Sequence, residues 1–134
     1  MNRAPLLALF LFAPAALAAE LVDYVVLDAA TIPAPLVEWS GGPAPGARLY
    51  AEAGCAACHD GEAGPELSEI AERLSEGEIR LMIVEPRVTF PQTEMPAYYT
   101  PGRLGEGPDE LVGRTRLTAL EIEKIVAFLS APPR

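Results

Sequence analysis

A five-residue motif near the middle of the chain constrains its chemistry more than any other feature. Cys55 and Cys58 are separated by two residues, and His59 follows at once. This is the C-x-x-C-H spacing of haem c attachment. Two thiols on one turn of chain can reach the two vinyl groups of a porphyrin, and the adjacent imidazole can then bind the iron. The motif therefore predicts one covalent haem c, held by Cys55 and Cys58, with His59 as the proximal ligand.

Two other functions are open to a C-x-x-C pair, namely thiol-disulfide exchange and half of a zinc site. The rest of the sequence supports neither of them. It offers no second pair of metal-ligand residues, and no alternation of strands and helices surrounds the motif. The chain contains two cysteines in all. If both become thioethers, no thiol remains to act as a nucleophile.

The second axial ligand of the iron cannot be a histidine of this chain, because His59 is the only one. Methionine, lysine, an open position and a residue from elsewhere remain. Met82 falls on the apolar face of a predicted helix, where a role in the core is expected. Met95 lies 36 residues beyond His59, in a segment rich in Pro and Gly that spans 87–117. We predict Met95 as the distal ligand, and His/Met ligation suits electron transfer.

Residues 1–18 predict a cleaved secretory signal. Arg3 gives a positive start, an apolar run from Leu6 to Leu17 follows, and Ala16-Leu17-Ala18 offers a cleavage site. A membrane anchor is the alternative, but Pro14 interrupts the run, which is shorter than the roughly 20 apolar residues of a spanning helix. We therefore expect a periplasmic protein without a membrane span after cleavage.

The charge of the chain limits its partners. It carries 19 acidic and 10 basic residues, for a formal net charge of −9. Loss of the signal would remove one arginine and bring the charge to −10. We expect no nucleic-acid partner, because phosphate binding requires basic surface. An acidic surface favours basic partners, although a generally solvated acidic face explains the charge equally well.

Apolar periodicity predicts an all-α domain over residues 46–134. The predicted helices cover residues 47–58 and 66–74, followed by a helix after Ser75 and a last helix after Thr118. Capping boxes mark the starts of these two, as Ser75-x-x-Glu78 and Thr118-x-x-Glu121. The segment 87–117 has no clear period, and a loop of that length needs a role such as wrapping a cofactor. We call it the methionine loop.

Residues 19–45 precede this domain and form a predicted extended arm. They contain four prolines and the pair Gly41-Gly42, yet also apolar residues such as Leu21, Val25 and Trp39. This composition is too apolar for a disordered tail. We expect the arm to pack on its own domain, with the surface of a partner as the alternative.

The order of these features resembles class I cytochrome c, and the resemblance covers nearly all of the chain after Gly46. It implies an all-α fold in which the first and last helices cross, with Gly46, Tyr50 and Phe128 at the crossing. A carbonyl in Gly64-Pro65, most directly that of Pro65, would accept a hydrogen bond from His59 and fix its ring. A simple turn is the alternative for these two residues. Candidates for the apolar wall around the haem are Tyr50, Leu67, Leu81, Phe90 and Leu129.

A narrower resemblance, to the SoxX subunits of SoxAX sulfur-oxidation cytochromes, is carried by residues 75–80, 84–87, 93–99 and 117–122. It implies a heterodimer with a SoxA-type haem subunit. Such a pair acts as an L-cysteine S-thiosulfotransferase, which joins thiosulfate oxidatively to a cysteine of the SoxYZ carrier. The present chain would accept the electrons, pass them to a small cytochrome c, and not be catalytic alone. A free periplasmic monohaem electron shuttle is the alternative, because it would use the same haem chemistry.

Overall fold

The computed structural model describes residues 21–132. Five helices run in the order α1 (Ala44–Glu52), α2 (Cys55–His59), α3 (Ile70–Arg73), α4 (Glu76–Val84) and α5 (Ala119–Leu129). Two 3₁₀ turns are also present, Pro86–Val88 at the start of the methionine loop and Asp109–Leu111 within it. The described residues form isolated bridges but no strand, so the predicted all-α class is confirmed. The predicted signal, residues 1–18, lies outside the described part of the chain.

Helices α1 and α5 cross at close range. Gly46 is buried in α1, and a Cβ atom there would lie 2.6 Å from the carbonyl carbon of Lys124 and 2.7 Å from Cβ of Phe128. One turn later the rings of Tyr50 and Phe128 pack at a centroid distance of 5.5 Å and an interplanar angle of 58°. The predicted crossing through Gly46, Tyr50 and Phe128 is therefore confirmed. Only a residue without a side chain lets the two backbones approach this closely.

Helices α4 and α5 begin where their capping boxes predict. Ser75 accepts a hydrogen bond from the backbone N–H of Glu78, whose carboxylate accepts in return from the Ser75 N–H. Thr118 and Glu121 repeat this arrangement at the start of α5. Both boxes satisfy backbone donors that a helix start would otherwise leave without a partner.

The buried faces of α4 and α5 meet side chains from the arm and from the methionine loop in one core. Its members are Ile32, Leu36, Ile79, Leu81, Ile83, Val84, Tyr98, Tyr99, Leu117, Ala119, Ile122, Ile125 and Val126.

The single helix predicted over 47–58 is wrong. The chain forms α1, turns, and starts again as α2, because Gly54 between them adopts the left-handed conformation with φ +81°. This backbone conformation is costly for other residues and easy for glycine. The helix predicted over 66–74 is reduced to the four residues of α3.

The arm packs on its own domain at its centre. Ile32 and Leu36 are 1% and 5% exposed, and the Ile32 N–H donates to the Gly77 carbonyl of α4. The predicted packing is thus confirmed for this stretch. Nearer its start, Leu21, Val25 and Leu27 are 50%, 67% and 47% exposed. The arm therefore has one side in the core and presents apolar side chains on the other.

A buried ion pair ties the arm to α4 and α5. The Arg80 guanidinium donates from Nε and Nη2 to both carboxylate oxygens of Glu123, at 2.7 and 2.9 Å, and from Nη1 to the Ile32 carbonyl at 2.8 Å. The Glu123 carboxylate also accepts from the backbone N–H of Leu36 at 2.7 Å. Removing one partner of such a pair costs about 3–5 kcal/mol, because the other charge stays buried and uncompensated.

Backbone hydrogen bonds of Tyr98 and Tyr99 anchor the methionine loop. The backbone N–H groups of Tyr98 and Tyr99 donate to the carbonyls of Ile83 and Val84, the last residues of α4. The Leu117 N–H donates back to the Tyr98 carbonyl. These bonds satisfy carbonyls that the end of a helix leaves free. Within residues 21–132, no helix is long and apolar enough to cross a membrane.

Candidate haem site

Helix α2 places the three residues of the attachment motif on one side. Cys55, Cys58 and His59 stand at positions i, i+3 and i+4 of a helix that begins at Cys55 itself. Residues at these spacings share a helix face. Both cysteines are free thiols; Cys55 is half-buried and Cys58 is exposed. The local fold thus presents two sulfurs and one imidazole to the same surface.

The ring of His59 is oriented by a backbone carbonyl. Its Nδ1 lies 2.7 Å from the carbonyl oxygen of Pro65. Because a carbonyl can only accept, Nδ1 carries the proton and donates. The unprotonated Nε2 is then free to bind a metal. The hydrogen bond predicted from Gly64-Pro65 is confirmed.

Gly64 lies directly against this ring. A Cβ atom there would stand 3.2 Å from Nδ1 and 3.3 Å from Cε1 of His59. It would also meet the carbonyl oxygen of Cys58 at 3.4 Å, next to the Gly64 N–H, which donates to that carbonyl at 3.0 Å. The turn after the motif is therefore packed tightly enough to hold the imidazole in one position.

Tyr98 connects the methionine loop to the attachment motif. It is 8% exposed, and its hydroxyl donates to the Ala53 carbonyl at 3.5 Å, just before Cys55. Burial, together with the nearby Cys55 thiol, raises the pKa of Tyr98 to about 12. Burial likewise raises the pKa of the Cys55 thiol, although the Tyr98 hydroxyl acts in the opposite direction. The structure therefore brings two segments 45 residues apart into contact beside Cys55.

Met95 is held within this anchored loop. Its backbone N–H donates to the Thr93 hydroxyl at 3.2 Å, and the anchored Tyr98 follows three residues later. The Met95 side chain is half-buried and packs against the core, as do Cys55 and Met82. The thioether of Met95 is thus carried by an irregular but fixed stretch of backbone. Met82, by contrast, belongs to helix α4.

The predicted wall residues occupy different environments. Leu81 and Tyr50 are buried, while Leu67 and Leu129 are half-buried. Tyr50 belongs to the α1–α5 crossing, and its hydroxyl donates to Asp60 at 2.9 Å. Phe90 is 58% exposed, so the described chain leaves its ring mostly on the surface.

Residues 43–131 match the family model described as Cytochrome c. The chain belongs to the cytochrome c family. The match covers about two thirds of the chain, from the residue before α1 to the residues after α5. Covalent haem c is the cofactor that membership of this family implies. A search of curated proteins finds no match to this cytochrome c.

A solved structure gives a narrower comparison. This cytochrome c is similar to a chain in the crystal structure of SoxXA from P. pantotrophus, with a TM-score of 0.69 and 27% sequence identity. The similarity covers 81% of this chain and 93% of that chain. The class I cytochrome c fold and the expected resemblance to the SoxAX cytochromes are both confirmed.

The residues present fit the cofactor of the family. Haem c attachment requires two thiols and an imidazole on one side of a short helix, and α2 provides them with the imidazole already oriented. The described residues gather no cluster of three or more His, Cys, Asp or Glu side chains that could hold a metal ion by themselves. Two thiols and an oriented imidazole thus fit the covalent haem that the family implies.

Sequence reasoning missed two residues of the site. The sequence predicts a turn at Gly64, yet the contact of Gly64 with the His59 ring depends on how that turn folds back. Tyr98 belongs to the stretch 93–99 that carries the SoxX resemblance, but its hydroxyl reaches Ala53 across a sequence separation of 45 residues. The available signal was the pattern Met-Pro-x-Tyr. It places the Tyr98 ring and its hydroxyl three residues after the predicted ligand Met95.

Proposed function

We propose that the chain is the haem c electron-transfer subunit of a SoxAX-type complex. In this role it accepts electrons from the oxidative conjugation of thiosulfate to a cysteine of a SoxYZ-type carrier and passes them to a small cytochrome c. The observation that carries the proposal is the similarity to a chain of SoxXA over 81% of the present chain. The chain is a subunit of an L-cysteine S-thiosulfotransferase and is not catalytic alone.

The proposed site holds one haem. Cys55 and Cys58 would form the thioethers, and His59 Nε2 and Met95 would bind the iron. The haem iron would supply one-electron redox chemistry, and ligation by both His59 and Met95 would favour electron transfer over the binding of small molecules. The Pro65 carbonyl keeps the proton on Nδ1 of His59. Backbone hydrogen bonds from Tyr98 and Tyr99 hold the loop that carries Met95.

Sulfur chemistry is assigned to the partner for a chemical reason. Thioether formation consumes both cysteines of this chain. Neither can then attack thiosulfate or carry a sulfur group. The conjugation therefore takes place at the SoxA-type subunit, and this chain removes the electrons.

The arm supports a heteromer rather than a free shuttle. The similarity to SoxXA corresponds to about 109 residues, whereas the cytochrome c match spans 89. At most three residues follow residue 131, where the cytochrome c match ends, so the excess comes mainly from the arm. The exposed apolar side chains of Leu21, Val25 and Leu27 lie in this arm. A permanent interface of more than roughly 1,000 Å² would cover such a surface.

Affinity purification tests the proposal. The tagged, periplasmic protein is isolated from cells growing on thiosulfate, and the gel is stained for haem. A second haem protein in equal amount, and thiosulfate-dependent haem reduction when the pair meets a carrier-protein cysteine, are expected. A haem-stained protein that comes down alone would favour the free electron shuttle instead.

A further inference from the structure

A groove beside the methionine loop collects positive charge in an acidic protein. It has a volume of about 480 Å³ and is lined in part by the four arginines Arg87, Arg103, Arg114 and Arg116. These are four of the ten basic residues in a chain of net charge −9. Two acidic residues, Glu85 and Glu106, also line it. We call this surface the arginine groove.

The guanidinium groups of the arginine groove are available to a partner. All four arginines are exposed. In residues 21–132, Arg103, Arg114 and Arg116 form no salt bridge, and Arg87 makes one loose pair with Glu85 at 3.6 Å. The acidic neighbours in the 3₁₀ turn Asp109–Leu111 do not line the groove with their carboxylates. The lining therefore keeps a formal excess of two positive charges.

The groove lies next to the proposed distal ligand. Pro96 and Ala97, which directly follow Met95, form part of its wall. Arg116 also lines a second hollow of about 350 Å³ that includes Ala53 and Tyr98, beside the attachment motif. A protein docked on the groove would thus approach the haem from the side of the methionine loop.

We infer that the arginine groove docks an acidic surface of the small redox protein that accepts electrons from this haem. This inference rests on the proposed haem site and adds the chemistry of the electron-transfer partner. Guanidinium groups bind carboxylates through paired hydrogen bonds. Exposed, loosely paired charges suit a protein surface better than a small anion, which needs fixed and buried donors. Complementary charge mainly accelerates encounter, which fits transient electron exchange.

Oxidation kinetics of the reduced holoprotein test the inference. At low ionic strength, the variant R103Q/R114Q is expected to react about tenfold more slowly with the anion hexacyanoferrate(III) and faster with the cation tris(phenanthroline)cobalt(III). A hexaglutamate peptide should slow the hexacyanoferrate(III) reaction of the unchanged protein but not that of the variant. These differences should disappear near 1 M salt, where charges are screened within about 3 Å.

The matched control removes two arginines elsewhere. Arg48 and Arg73 do not line the groove, so R48Q/R73Q changes the net charge equally and should alter either rate by about twofold or less. Equal slowing in both double variants, or no protection by hexaglutamate, would overturn the inference while leaving the proposed function intact. Covalent haem is measured on every sample first, and its absence would overturn both.

Discussion

Gly64 sets the position of the His59 imidazole at the scale of a single residue. A Cβ atom at Gly64 would stand 3.2 Å from Nδ1, within the distance that most real Cβ atoms avoid. We expect the imidazole ring to shift, rather than the backbone of the turn. The bond from Nδ1 to the Pro65 carbonyl would then lengthen, and the ligand would lose part of its orientation.

Gly64→Ala should therefore keep the haem but disturb the iron. We expect a changed absorption spectrum, a shifted reduction potential and a loss of about 1–2 kcal/mol in the free energy of unfolding. Gly61→Ala is the control, because its Cβ would meet the Ala57 carbonyl oxygen at an ordinary 3.7 Å. Identical spectra and potentials in the two variants would show that Gly64 does not position the ring.

Met95→His tests the distal ligand. The variant should retain covalent haem and show a lower reduction potential, since histidine stabilises the ferric state more than a thioether does. The decrease should be a clear fraction of the roughly 0.8 V range that axial ligands span. Met82→Leu removes a thioether from helix α4 and should leave the potential unchanged. Redox titration of both variants measures these potentials. An unchanged potential in Met95→His would exclude Met95 as the ligand.

At the scale of helices, close packing at the α1–α5 crossing stabilises the domain. Gly46→Ala should lower the free energy of unfolding by about 3 kcal/mol, because the new methyl group overlaps the Lys124 carbonyl. Gly42→Ala is the control, since nothing lies within 4 Å of a Cβ there. Denaturant unfolding of the two holoproteins measures the difference. Equal stabilities would mean that the helices can move apart at little cost.

The helices could be predicted from sequence where their signals are local. The capping boxes at Ser75 and Thr118 gave correct helix starts because both partners stand three residues apart. The break at Gly54 was missed because the residues around it are good helix formers, and only the backbone angle of one glycine interrupts them. The Arg80–Glu123 pair was also missed, since a charged residue on a helix is normally expected to face solvent.

The candidate site was predictable to a similar extent. Cys55, Cys58 and His59 are adjacent in the sequence, so their common surface follows from the spacing alone. The contribution of Tyr98 depends on a contact with Ala53 that no local pattern contains. The arginine groove was missed for the same reason, because its four arginines are distributed between residues 87 and 116.

At the scale of the whole molecule, the exposed part of the arm is apolar, whereas the arginine groove is positively charged. Val25→Lys places a charge on the apolar arm surface, where the native side chain is 67% exposed. We expect it to weaken co-purification of the second haem subunit at least about tenfold, because a charge buried in an apolar interface costs several kcal/mol. The stability of the isolated subunit should stay within about 0.5 kcal/mol.

Leu104→Lys is the matched control for this substitution. Leu104 is 82% exposed and belongs to the methionine loop, away from the arm in sequence. The same charge introduced there should leave the heteromer intact. If both lysine variants still recover the partner in full, the arm surface is not the interface. Quantitative haem staining after affinity purification gives the measurement.

The ion pair between Arg80 and Glu123 also has a consequence for the order of folding. The arm precedes all five helices, yet its backbone is held by Glu123 of the last one, 87 residues after Leu36. Helix α1 likewise finds its partner only in α5. The arm and α1 therefore cannot make these contacts until α5 has formed. Contacts of such long range make folding slow. Before α5 packs on α1, Cys55 and Cys58 lie in an incompletely folded domain, in which their thiols would still be open to haem attachment.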